Sequence, residues 1–91
     1  MQIPLILYAN GSDGIQAELV SDGMCQSMGV SRKLMLMQLN HDLLRRVHPD
    51  DEAWMTRSIE DFLRKTSDFD VIFRNRRSGE DGYRMVHAVG R

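Results

Sequence analysis

Strand-like segments lie at both ends of this sequence, and helix-like segments lie between them. Residues 3–9 are rich in β-branched and aromatic side chains, and residues 15–20 alternate apolar with polar positions, as in a half-buried strand. Residues 10–14, Asn-Gly-Ser-Asp-Gly, favour the turn between them. Residues 69–74 alternate in the same way, and residues 83–89 form a return strand after an Asp-Gly turn. Two hairpins separated by helices predict an α+β fold, with helices packed on one face of an antiparallel sheet.

The middle of the chain predicts short helices. Ser21 or Asp22 can cap the first one, which runs to Met28 and which Gly29 can end. Ser31 can cap a second helix that runs through Gln38. Residues 42–47 predict another turn or two of helix.

A longer helix follows, and its pattern is the clearest in the chain. Pro49 fits a first helical position, and three acidic residues come next, where they complement the helix dipole. The helix is predicted to continue to about Thr66, with Trp54 off its apolar stripe and partly exposed. Four residues form that stripe, of which the second and third are expected to face the sheet: Met55, Ile59, Phe62 and Leu63.

Length and composition set the class of protein. The chain of 91 residues is long enough for one compact domain, residues 1–91. Hydrophobic residues make up 42% and charged residues 27%, which argues against a disordered chain. The longest apolar run is far shorter than the roughly 20 residues of a spanning helix, and a net charge of −1 offers no basic field for nucleic acid. The single cysteine suits a reducing compartment, so we expect a cytoplasmic domain without nucleic-acid or membrane contact.

Residues that can carry chemistry do not form a catalytic or metal-binding pattern. The histidine spacings match no compact zinc signature. His41 is the least constrained haem candidate, yet a polar loop position is the simpler expectation, and His48 is expected to cap or pack at the helix start. Neighbouring carboxylates on a helix do not face one another, which favours a solvated face. The residues weighed in this way are Cys25, His41, His48, His87, Asp50, Asp51, Glu52, Glu60 and Asp61, and no catalytic or metal-ligating residue is predicted.

Basic residues concentrate in the second hairpin, where acidic neighbours dilute them. A solvated hairpin is therefore a better interpretation than a phosphate site. These residues are Arg74, Arg76, Arg77, Arg84 and Arg91.

Four short motifs occur in a recognisable order. Residues 47–51, Val-His-Pro-Asp-Asp, open the long helix, residues 73–76 are Phe-Arg-Asn-Arg, and residues 81–84 are Asp-Gly-Tyr-Arg. Residues 19–25, Leu-Val-Ser-Asp-Gly-Met-Cys, precede them. In this order the motifs resemble the PAS family, in the subgroup with a His-Pro-Asp-Asp step that is attached to bacterial diguanylate cyclase and phosphodiesterase proteins. Met85 departs from that subgroup, which often has tryptophan there.

The resemblance implies a five-stranded sheet whose fifth strand lies between the first and the fourth. This chain ends after its fourth strand, so we interpret it as a truncated piece of a longer multidomain protein. The resemblance then predicts one of two outcomes: a strand exchanged with a neighbouring chain, which we favour, or a rearranged four-stranded sheet.

The resemblance also implies a non-enzymatic sensing and dimerising module that regulates an attached output domain in a bacterial signalling protein. The alternative is a ligand-free protein-interaction scaffold that only dimerises its parent. No cofactor is predicted, because the cysteine lacks the flavin-binding motif of the family's light sensors and no histidine is clearly a haem ligand. Six of the seven methionines are predicted to supply a soft interior: Met24, Met28, Met35, Met37, Met55 and Met85. An ordinary core is the favoured interpretation, and the residues that would line a small-molecule cavity are Met28, Met35, Leu44, Met55, Ile59 and Phe73.

Overall fold

The computed structural model describes residues 4–11, 14–65, 67–76 and 82–91, and within them it has four strands and three helices. In chain order they are β1 Leu5–Gly11, β2 Gly14–Val20, α1 Asp22–Met28, α2 Arg32–His41, α3 Pro49–Leu63, β3 Phe69–Arg76 and β4 Tyr83–Gly90. The α+β class is confirmed, and every predicted strand lies within two residues of an observed one. The predicted turns fall partly outside the described residues, at 12–13 and 78–81.

Serine side chains begin the first two helices. The Ser21 hydroxyl accepts a hydrogen bond from the Met24 N–H at 3.0 Å, so Ser21 rather than Asp22 is the cap of α1. The Ser31 hydroxyl accepts from the Leu34 N–H at 3.2 Å, as predicted. Helix α2 continues three residues beyond its predicted end.

Residues 42–47 were predicted as a further turn or two of helix, but they form hydrogen-bonded turns instead, in which the Arg45 N–H donates to the Asp42 carbonyl at 3.3 Å. The end of this segment runs beside β3, where the Arg76 N–H donates to the Arg46 carbonyl at 2.7 Å and the His48 N–H donates to the Arg74 carbonyl at 2.9 Å. Pairing with the sheet satisfies these backbone groups, and it requires an extended rather than a helical backbone.

Helix α3 begins as the sequence predicts and ends earlier. The His48 imidazole caps it, since Nδ1 accepts from the Asp50 N–H at 3.0 Å, and proline takes the first position. The helix ends at Leu63, three residues before the predicted end, which itself lies outside the described residues. Ile59 and Phe62 are both buried, which confirms the predicted inner face.

The four strands form one sheet in the order β2-β1-β4-β3. The two hairpins are antiparallel, but β1 and β4 pair in parallel, with Leu5 opposite His87 and Tyr8 opposite Gly90. The sheet is therefore mixed rather than wholly antiparallel. Removing an antiparallel strand from between two others leaves those two parallel, and direct pairing then satisfies their facing backbone groups. The single chain thus has the rearranged form, and strand exchange between chains stays a prediction.

The core lies between the helices and the inner face of the sheet. The Phe69 ring meets the Tyr8 ring edge-on at 5.9 Å and packs against the Phe62 ring at 5.7 Å. Four methionines are buried there: Met24, Met28, Met35 and Met55. Met37 and Met85 were expected in the interior too, but they are 59% and 57% exposed, because one lies on the outer side of α2 and the other on the outer face of the sheet. None of the helices in the described part of the chain is long and apolar enough to cross a membrane.

Candidate functional site

The six predicted cavity-lining residues come together in the core. Five are buried and Leu44 is half-buried against them. A small pocket of about 10 Å³ touches only one of the six, Met35, and it has room for no more than a single water molecule. Met28, Met35, Leu44, Met55, Ile59 and Phe73 therefore act as core packing in this structure. Ligand binding among them stays a prediction.

A larger groove of about 620 Å³ lies open to solvent at the end of α3. Asn10 lines it and donates through its side-chain amide to the Phe62 and Leu63 carbonyls, both at 3.3 Å, which satisfies the end of the helix. Arg91 also lines it, and its guanidinium reaches Glu18 at 3.1 Å. Two of the groove's polar side chains thus already have structural partners.

Asp51 was expected on a solvated helix face, and the structure corrects this. It is 6% exposed, and its carboxylate accepts three hydrogen bonds from Arg74: from the backbone N–H at 2.9 Å, from Nε at 3.1 Å and from Nη2 at 2.7 Å. Trp54, which is half-buried as predicted, donates its indole N–H to the same carboxylate at 3.1 Å. The ion pair therefore fixes the first turn of α3 to β3.

The Asp51 carboxylate and the Arg74 guanidinium are both charged in this pair. The Arg74 guanidinium holds the pKa of Asp51 well below its usual range, against the opposing effect of burial, and the Arg74 and Trp54 N–H groups add to the shift. The pKa of Arg74 is raised by the same carboxylate. Asp51 therefore acts as a structural anion rather than as a proton donor or acceptor.

Both edges of the sheet are partly covered. On β2, the Asn40 side chain accepts from the Ala17 N–H at 2.8 Å and donates to its carbonyl at 3.3 Å. On β3, the segment before α3 pairs with the Arg74 and Arg76 backbones. Covered edges hinder the addition of a strand from another chain.

The outer face of the sheet, opposite the helices, is open, and it carries exposed apolar side chains beside charged ones from β3. Leu19 is 53% exposed, Ile72 59% and Met85 57%, and alternation along the strands places all three on the side away from the core. Its apolar residues come from all four strands: Leu5, Leu7, Leu19, Ile72, Met85 and Val89. We call this whole surface of the sheet, with its polar residues, the outer face. Exposed apolar patches of this kind mark interaction sites.

One histidine lies in the middle of the outer face. His87 is on β4 with Leu5 and Ile72 as its partners on the two flanking strands. Its Nε2 lies 2.6 Å from a carboxylate oxygen of Asp70. Alternation along β4 places His87 on the same side of the sheet as Tyr83, Met85 and Val89.

The other chemical candidates are dispersed. Cys25 is half-buried against the core rather than fully buried, and His41 is exposed at the end of α2. His48 has the predicted capping role, and Arg77 lies outside the described residues. Within those residues, no three histidine, cysteine or acidic side chains are grouped as a metal site.

The sequence analysis missed both the Asp51–Arg74 pair and the outer face. The outer face had a signal, because residues 5–9 are continuously apolar, which is typical of a strand with apolar side chains on both faces. The ion pair had no local sequence signal, since Asp51 and Arg74 are 23 residues apart in the chain.

A family model described as PAS fold matches residues 18–91. This match covers α1 to β4 and the last three residues of β2, and it leaves out β1. No curated protein and no solved structure matches the chain.

Proposed function

The chain belongs to the PAS family, and from that premise we propose that it is a non-enzymatic sensory and interaction module that binds a second copy of itself through the outer face. In a bacterial signalling protein, such a dimer would regulate an attached output domain, for example a diguanylate cyclase. The single cysteine is compatible with a cytoplasmic location.

The observation that carries the proposal is the exposure of Leu19, Ile72 and Met85 on one continuous sheet surface. Covering apolar surface contributes about 25 cal/mol per Å² removed from water. Among the exposed large apolar residues of the described chain, Leu34 and Met37 lie on α2, away from this surface.

The shape of the outer face allows a second copy as the partner, in a small interface. Four strands spaced by about 4.8 Å, with a rise of about 3.3 Å for each residue, give a face of roughly 450 Å². Two such faces bury about 900 Å², which is below the roughly 1,000 Å² of a stable specific interface, so the dimer is expected to be weak and concentration-dependent. Two sheets packed face to face also form a stable layered architecture, and a two-fold axis lets identical faces meet.

A charge on the outer face provides the test. Met85→Lys places an ammonium group there, whereas Met37→Lys makes the same change at a position of matched exposure on α2. Light scattering on a dilution series should show that the wild type and Met37→Lys dimerise and that Met85→Lys stays monomeric. A wild type that is monomeric at every concentration, or a Met85→Lys dimer as strong as the wild type, would contradict the proposal.

Strand exchange is the other route to a dimer, and it predicts a different result. Strand exchange requires the β1–β4 pairing to open, so the exchanged dimer would form slowly. Because it does not depend on the outer face, the exchanged dimer would persist in Met85→Lys. A dimer that persists in this variant and does not dissociate on dilution within hours would favour exchange over the outer face.

The sensory role and the ligand-free scaffold differ in whether a small molecule binds. In the sensory case a ligand among the core methionines shifts the population of dimeric states. Native mass spectrometry of protein purified from bacterial cells distinguishes the sensory role from the ligand-free scaffold. A retained molecule supports the sensor, and its absence together with an intact dimer supports the scaffold.

A further inference from the structure

His87 occupies a central position on the outer face. Its strand, β4, lies between β1 and β3, and its side chain is 35% exposed. Apolar side chains adjoin it on both neighbouring strands, Leu5 on one side and Ile72 on the other. A titratable group at the centre of an apolar surface makes any association through that surface sensitive to its charge.

The groups that face His87 are few. Neither β1 nor β2 presents a titratable side chain beside it, because the outward residues are Leu5, Leu7 and Ala9 on β1 and Gln16 and Leu19 on β2. Glu18 lies at the bulge of β2 and pairs with Arg91 at 3.1 Å. Strand β3 contributes Asp70, Arg74 and Arg76, and β4 adds Tyr83.

Of these groups, Asp70 is the partner of His87, at 2.6 Å. The Arg74 guanidinium is bound to Asp51, and that of Arg76 lies over the Tyr83 ring, 5.8 Å from its centre. No arginine among the described residues is hydrogen-bonded to Asp70, so its charge is balanced only when His87 is protonated.

We propose that protonation of His87 strengthens association through the outer face, which makes the dimer sensitive to pH; this inference rests on the proposed function. With neutral His87, covering the face removes one uncompensated carboxylate of each copy from water. With protonated His87 the pair is neutral as a whole, so the cost of covering it is lower.

The sign of the effect follows from proton binding. The dimer holds protons on His87 more firmly than the separate chains do, and each dimer therefore takes up as many as two protons when it forms. Histidine changes charge between about pH 5 and 8. The dissociation constant should rise by at least about tenfold from pH 5.5 to pH 8.

Sedimentation equilibrium of the full chain at several pH values and constant ionic strength tests this. His87→Gln removes the proton and should give a weak, pH-independent dimer. Asp70→Asn should invert the response, because a lone protonated imidazole is then covered at low pH. His41→Gln, an exposed histidine on α2, should keep the wild-type response. Circular dichroism melts at each pH verify that every variant is folded.

The outcomes separate this inference from the function on which it rests. A dimer whose dissociation constant does not change with pH, or keeps its response in His87→Gln, overturns the role of His87 and leaves the outer-face dimer intact. The absence of a dimer at every pH overturns both. Loss of the response in His87→Gln together with inversion in Asp70→Asn supports the role of His87.

Discussion

Asp51 and Arg74 join the first turn of α3 to β3 through a two-pronged side-chain pair and a backbone hydrogen bond, all within 3.1 Å. The carboxylate is almost fully buried, whereas the side chain of Arg74 is 40% exposed. The pair fixes the long helix over the inner face of the sheet.

Asp51→Asn should therefore destabilise the fold. The amide retains the shape but loses the charged hydrogen bonds, and we expect the free energy of unfolding to fall by about 1–3 kcal/mol. Asp50→Asn is the matched control, because it changes the same residue type in the same helical turn at an exposed position. Urea unfolding of the two variants should differ clearly, and equal losses would show that the helix dipole rather than the ion pair is responsible.

The same pair predicts how stability depends on acid. The pKa of Asp51 is lower in the folded state than the unfolded value of about 3.9. The ionised Asp51 thus contributes to the free energy of unfolding above about pH 3.9. This contribution disappears as the pH falls further, when the carboxylate of the folded chain also takes a proton. The difference in unfolding free energy between the wild type and Asp51→Asn should shrink from pH 5 to pH 2. A difference that stays constant over this range would argue against an ionised Asp51.

Lys65 follows α3 with a φ of 61°, the left-handed conformation that glycine adopts without strain. Lys65→Gly should raise the free energy of unfolding by roughly 1 kcal/mol. Its neighbour is the control: Arg64 has a φ of −80°, and Arg64→Gly should lower stability. Thermal melts that move in the same direction for both variants would contradict this account of the helix end.

Gly90 lies where β4, α3 and β3 meet. A Cβ there would lie 2.7 Å from the Phe62 ring and 2.8 Å from the Cβ of Phe69. Gly90→Ala should cost about 1–3 kcal/mol through overpacking, whereas Gly82→Ala meets no atom within 4 Å and should be nearly neutral. An unchanged urea midpoint for Gly90→Ala would mean that α3 does not pack against this end of the sheet.

The buried ring of Phe62 gives a further prediction for the inner face of α3. Phe62→Ala should lower the free energy of unfolding, measured in urea, by roughly 3–5 kcal/mol.

Local chemistry made much of the fold predictable. Ser31 and Pro49 mark helix starts through groups within one turn of the chain, and the alternation at 69–74 defines a strand and its buried side. The Phe62 face of α3 followed from helical spacing alone.

Long-range pairing decided what the sequence did not predict. Alternation does not show which strand lies beside β1, so the parallel pairing with β4 was one of two outcomes. Residues 42–47 have helical composition, but they form turns, and the end of the segment, from Arg46 to His48, pairs with β3 instead of continuing a helix. Apolar content assigned Met37 and Met85 to the interior, because hydrophobicity cannot distinguish a core from an exposed interaction surface.

The methionine methyl groups offer the most direct test of the outer-face dimer, without any substitution. In chain labelled with ¹³C at the methionine methyls, Met85 and Met37 report on two surfaces of nearly equal exposure, at 57% and 59%, and the buried Met24 and Met55 serve as references. Spectra recorded from low micromolar to millimolar concentration should show the Met85 signal shifting or broadening with concentration while the Met37 signal stays fixed. A Met85 signal that does not change, or a change confined to Met37, would contradict the claim that this chain associates through the outer face of its sheet.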